Sequence, residues 1–242
     1  MASIPANTRP PSPAALPASP LLGYALGALG AAFFATKGIV IKLALLENVD
    51  AVTTLTWRMI ISVPIFVIVG ALGVRGQQRA GKSAALTSAN VLKAAGLGLL
   101  GYFVASYCDF VGLMFISAQF DRLILMTYPI FVVLLGAMFF GRKLNPKMLI
   151  WLGISYFGLV LIFVRDLTLD GQNVIVGAAF VMVSAISYAL YQLLAKPVID
   201  ALGARLFTSI AMSAAGLMIV IVFALSHPLG DLAVSPKAMW LM

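Results

Sequence analysis

The sequence predicts an all-α fold, a polytopic bundle of membrane-spanning helices, and three observations carry that expectation. Of its 242 residues, 62% are hydrophobic and only 10% charged, against about 45–50% and about 25% in soluble domains. Apolar stretches of span length recur along the chain, and the loops between them alternate in charge. A single soluble core could not bury so many apolar side chains, whereas hydrocarbon solvates them.

Met1 to Pro20 is rich in Pro, Ala and Ser with Arg9 as its only charge. It lacks an apolar segment of signal-peptide length, so a disordered cytoplasmic tail is expected over residues 1–20. Seven apolar runs then follow, each long enough to cross a hydrocarbon core of about 30 Å as a helix. The first, Leu21 to Leu46, carries Lys37, with Lys42 expected to snorkel to the interface. The second, Ala51 to Val74, repeats Thr54, Arg58 and Ser62 every four residues, which makes one polar stripe.

In the third, Val91 to Ile116, Gly101, Ala105 and Asp109 stack on one face, as small residues leading to an acid. A packing seam with a simply paired Asp109 is the competing reading. The fourth, Ala118 to Phe140, opens with Asp121 and Arg122. Pro64 and Pro129 interrupt the second and fourth runs and should free carbonyls near Ile60 and Leu125. The fifth is Lys147 to Val164. The sixth, Val174 to Lys196, aligns Ser184, Ser187, Tyr188, Tyr191 and Gln192 along one side, a pattern that suits a cavity wall or interhelical hydrogen bonds equally. The seventh is Leu206 to Leu225, and Pro236 to Met242 reads as the start of an eighth.

Basic residues fix the expected orientation. One set of loops holds Arg75, Arg79, Lys82 and Lys93, then Arg142, Lys143 and Lys147, then Lys196 and Arg205. The opposite set holds Glu47 and Asp50, Asp121 with Arg122, Arg165 with Asp166 and Asp170, and Asp231 with Lys237. The positive-inside rule then places the N-terminus in the cytoplasm. In that frame Lys37, Arg58 and Asp109 share one layer in the outer half, each about seven to nine residues from the same end of its run. A charge at such depth costs at least ~2.5–3.5 kcal/mol on insertion scales, so three together call for a polar cavity or an ion-pair network.

Several functions are excluded or disfavoured. The formal charge of +8 is concentrated in alternate loops, which fits membrane orientation and not nucleic acid. Cys108 is the only cysteine, so neither a disulfide framework nor a cysteine metal site can form within the chain, and no metal or cofactor is expected. No P-loop is present, no nucleophile and base stand at catalytic spacing, and His227, the one histidine, reads as a solvated loop residue beside Pro228. An enzyme is therefore not expected. The last complete run has no lysine for a retinal Schiff base.

Several stretches resemble the EamA-type transporters of the drug/metabolite transporter superfamily. They are Ile41-Lys42-Leu43-Ala44-Leu45, then Leu55-Thr56-Trp57-Arg58, and most specifically Ile116 to Leu123 continuing through Thr127-Tyr128-Pro129 to Gly141-Arg142-Lys143-Leu144. Two departures are Phe33 to Thr36, where many relatives carry a tryptophan-glycine pair, and Arg142, where they carry an acid. The resemblance implies inverted five-helix repeats, the first over residues 21–165 and a truncated second over 172–242. Gly27 to Leu45 also aligns without gaps on Gly177 to Ala195. Inverted repeats hold solute near their interface.

The expectation is a multi-pass protein of the inner (plasma) membrane that exports a small polar or amphipathic metabolite, amino-acid-like or drug-like, by alternating access. Lys37 and Arg58 would attract an anionic group, Asp109 would balance them or carry a coupling proton, and Tyr188, Tyr191 and Gln192 would shape the cavity. Expected partners are the solute and the lipid bilayer, with proton coupling and a homodimer as further candidates. A passive channel, or a non-transporting scaffold whose charges form a structural network, is the alternative.

Overall fold

The computed structural model describes residues 20–47, 49–79, 86–141 and 173–241, with isolated positions between 147 and 164. Among the described residues all regular structure is helical. The chain divides into two compact units, Met1–Lys37 and Gly38–Met242. The first consists, where described, of the leading turns of helix α1 (Pro20–Leu45).

The second unit continues from Gly38 through the end of α1 into α2 (Ala51–Arg79), α3 (Ser88–Gly98) and a π-helical turn (Leu99–Val104). Helices α4 (Ala105–Phe115), α5 (Ala118–Leu125), α6 (Tyr128–Phe140), α7 (Asn173–Leu202), α8 (Ala204–Ser226) and the short α9 (Pro236–Leu241) follow. Six stretches among the described residues are long and apolar enough to span a membrane: Gly23–Leu45, Ala51–Gly76, Ser88–Phe115, Ala118–Phe140, Asn173–Leu202 and Ala204–Ser226. The expected tail up to residue 19 and the expected span Lys147 to Val164 lie outside the described residues, apart from Lys147, Val164 and a few isolated helical positions between them.

Local chemistry sets the helix ends. Asp50 Oδ2 accepts from the backbone N–H groups of Val52 (2.8 Å) and Thr53 (3.1 Å), filling orphan donors at the start of α2. The Ser117 hydroxyl does the same for Phe120 N–H at 3.1 Å and starts α5. Gly141 ends α6 with φ +61°, a left-handed conformation that glycine adopts without steric cost.

The two prolines behave differently. Pro129 has no N–H to give and sits in the first turn of α6, so the fourth span breaks into α5 and α6, and Thr127 N–H turns back to Ile124 O at 2.9 Å. Pro64, expected to interrupt the second span, lies inside an unbroken α2. Lys42 also departs from expectation. Its Nζ donates to the carbonyl of Leu113 at 2.6 Å, so the ammonium caps the last turn of α4 rather than snorkelling away.

Helices approach closely where side chains are absent or small. α7 crosses α4 at Gly112 and Gly177, where a Cβ on Gly112 would lie 2.4 Å from Val181 Cγ2 and 3.0 Å from the carbonyl of Gly177. α2 meets α8 at Gly216, where a Cβ would lie 2.2 Å from Val63. These crossings enclose a core in which Leu55, Phe110, Leu113, Phe120, Val181, Phe207 and Ile219 are buried.

Candidate functional site

The polar centre of the second unit is built by α2, α4 and α5. Asp109, on α4, and Asp121, one turn into α5, are 2% and 0% exposed. Arg122 bridges them: its Nε stands 3.0 Å from Asp121 Oδ2 and its Nη2 3.6 Å from Asp109 Oδ2. The guanidinium passes over the backbone of α1, where a Cβ on Gly38 would lie 2.6 Å from Arg122 Nε. Only glycine leaves that path open.

Arg58, on α2, faces this network. Its guanidinium carbon lies 5.3 Å from the centroid of Phe110, over the ring, and the charges of Asp109 and Arg122 act on it with opposite sign. Among the described residues it makes no hydrogen bond and no ion pair. Lys37, expected in the same layer, is half-buried and is the last residue of the other unit.

A second polar group forms around the π-helical turn. The turn places Gly101 against α7, where a Cβ would lie 2.4 Å from Tyr191 Cγ. Ser187 Oγ donates to Leu100 O and Ser184 Oγ to Ala105 O, both at 2.7 Å, so these two serines take up carbonyls of the neighbouring helix rather than lining open space. Tyr102 and Tyr191 share a hydroxyl hydrogen bond of 3.1 Å, Tyr188 stacks on Tyr191 at 5.7 Å, and Tyr128 meets Tyr188 edge-on at 5.2 Å. Gln192 lies four residues after Tyr188, one turn further along the same face of α7.

The residues singled out from sequence therefore assemble at two levels. Arg58 and Asp109 come together; Tyr188, Tyr191 and Gln192 come together near Gly101. Eight residues of helix separate Gly101 from Asp109, roughly 12 Å along the axis. Arg122 and Asp121 complete the charged level, and Tyr102 and Tyr128 the aromatic one, although sequence reasoning had placed none of the four in a site. The signal available for Asp121 and Arg122 was their position inside an apolar run, a few residues past its start.

Residues 21–164 match the EamA-like transporter family. The chain belongs to this family. It is also 29% identical over 194 residues to the "Uncharacterized transporter YcbK" of Bacillus subtilis (strain 168), an alignment covering 78% of this chain and 59% of that protein. No solved structure matches. The EamA-like match covers α1 to α6, so Arg58, Asp109, Asp121 and Arg122 all fall within it. Membership, the helical bundle and the six apolar spans make this a multi-pass membrane protein of a transporter family.

Proposed function

We propose that this EamA-like chain acts in a secondary transporter that exports a small polar or amphipathic metabolite, amino-acid-like or drug-like, across the inner membrane by alternating access, with its N-terminus in the cytoplasm. Arg58 carries the proposal. It is half-buried, laid over Phe110, and its five N–H donors have no hydrogen-bond acceptor among the described residues. A carboxylate or phosphate on the solute supplies such acceptors in bidentate geometry. Asp109 is the carboxylate on which coupling is placed, because Arg58 and Arg122 both act on it and solute at Arg58 changes that balance. Tyr188, Tyr191 and Gln192 offer aromatic faces and an amide further along the path.

Flux in proteoliposomes tests the reading. Saturable, counterflow-capable uptake is expected of a carrier, and non-saturating flux of a channel. Arg58→Gln should lower uptake by about 10–100-fold, the value of lost hydrogen bonds to a charged group, with membrane insertion unchanged. Normal uptake by that variant would remove Arg58 from the site. Asp109→Asn should abolish the response to a pH gradient and retain counterflow, whereas an intact response would move coupling elsewhere.

The scaffold reading has one observation in its favour: Arg122 engages Asp109 and Asp121 within the protein. Absence of any flux from the wild-type chain would support it.

A further inference from the structure

A separate polar cavity lies between the α1–α2 connection and the segment that follows α8. Its volume is about 500 Å³, and Glu47, Asp50, Thr53, His227 and Asp231 line it. In a chain of net charge +8, three carboxylates here face one imidazole.

The carboxylates are held differently. Asp50 Oδ2, while capping α2, lies 3.3 Å from His227 Nε2. His227 is thus a tie between the two segments rather than a solvated loop residue: its Nδ1 is 2.7 Å from Ser226 Oγ and its ring stacks on Phe223. Glu47 is paired with Lys237 from α9. Asp231 is exposed and forms no ion pair among the described residues.

Thr53 points to a ligand. It is 1% exposed and its Oγ1 has no hydrogen-bond partner among the described residues. The hydroxyls of Thr54 and Thr56 on the same helix donate back to Asp50 O and Val52 O. A buried hydroxyl left unfilled is costly, so one standing in a cavity wall marks a place for a donor from outside the protein.

We propose that this cavity binds a short organic diamine, with its ammonium groups on the Asp231 and Asp50 carboxylates and one N–H on Thr53 Oγ1. The geometry favours a molecule over a metal ion. Among the described residues no three ligating side chains converge closely enough to hold a metal, whereas several carboxylates around a cavity of this size suit an extended cation with several donors. This site does not depend on the role of Arg58, and its test requires no flux.

The experiment is calorimetric titration of the whole chain in nanodiscs of neutral lipid with 1,4-diaminobutane, and with 1,4-butanediol as the uncharged molecule of equal length. Saturable binding of the diamine alone is expected. Asp231→Asn, an exposed change that leaves the fold intact, should weaken it by about fivefold. Thr53→Val should weaken it by about tenfold while keeping or raising thermal stability, because it removes the unfilled hydroxyl. That pairing separates a ligand contact from a folding role. Equal binding of the diol, unchanged affinity in both variants, or saturable magnesium binding lost in Asp231→Asn would each overturn the proposal.

Discussion

Replacing Arg122 by leucine is expected to be the most destabilising single change in the charged layer, costing about 3–5 kcal/mol, the usual result of removing one partner from a buried ion pair. Arg122 serves two carboxylates, Asp121 at 3.0 Å and Asp109 at 3.6 Å, and both acids are almost wholly removed from solvent. Both acids are packed inside the helices, so little water is at hand to replace the lost cation. Thermal unfolding of the chain in nanodiscs reads the effect. Asp121→Asn combined with Arg122→Gln should recover much of the loss, since the double change removes opposite charges together and keeps hydrogen-bonding groups. Gly38→Ala should reproduce part of it, because the new Cβ would occupy the path of the guanidinium, 2.6 Å from Arg122 Nε. Wild-type melting of Arg122→Leu would mean that water already solvates both acids and that the network holds nothing together.

How much of this could be read from sequence depends on the range of the interaction involved. Span positions follow from local composition and local caps, so Ala51 and Ala118 begin their helices where the apolar runs begin. Pro129 breaks its span for an equally local reason. The π-helical turn leaves no such trace. It rests on Ser187 and Ser184, which reach Leu100 O and Ala105 O from a helix about eighty residues away, and on the missing side chain of Gly101 against Tyr191. Asp121 and Arg122 read as loop charges because they stand at the edge of an apolar run, and only tertiary packing buries Asp121 completely. Lys42 illustrates the same limit: an interfacial lysine and one that caps a neighbouring helix are identical in sequence, and the Leu113 carbonyl decides between them. The distances of Arg58 and Asp109 to their run ends, by contrast, suggest from sequence that the two are neighbours, and the fold does bring them within electrostatic reach.

Gly98→Ala and Gly96→Ala, two residues apart on α3, are expected to act in opposite directions. A Cβ on Gly98 would lie 2.2 Å from the carbonyl oxygen of Ala211 and 2.5 Å from its Cα. Those atoms are the backbone of α8, which cannot rotate aside as a side chain can, so the two helices must separate. The separation loosens Ala94, Leu97, Phe207 and Ala211, which pack together at this crossing. Helices in a bilayer gain no hydrophobic advantage from staying together and depend on close packing, so the loss should be about 3 kcal/mol, the upper part of the usual overpacking range. A Cβ on Gly96 would meet no atom within 4 Å, and alanine is the better helix former by about 1 kcal/mol, so that variant should be neutral or slightly stabilised. The difference between the two melting curves measures the tightness of the α3–α8 contact directly. Because Gly98 immediately precedes the π-helical turn, Gly98→Ala should also disturb the Tyr102–Tyr191 hydrogen bond, detectable as a change in tyrosine fluorescence that Gly96→Ala does not produce. Equal melting of the two variants would mean that α3 and α8 are not in backbone contact at Gly98.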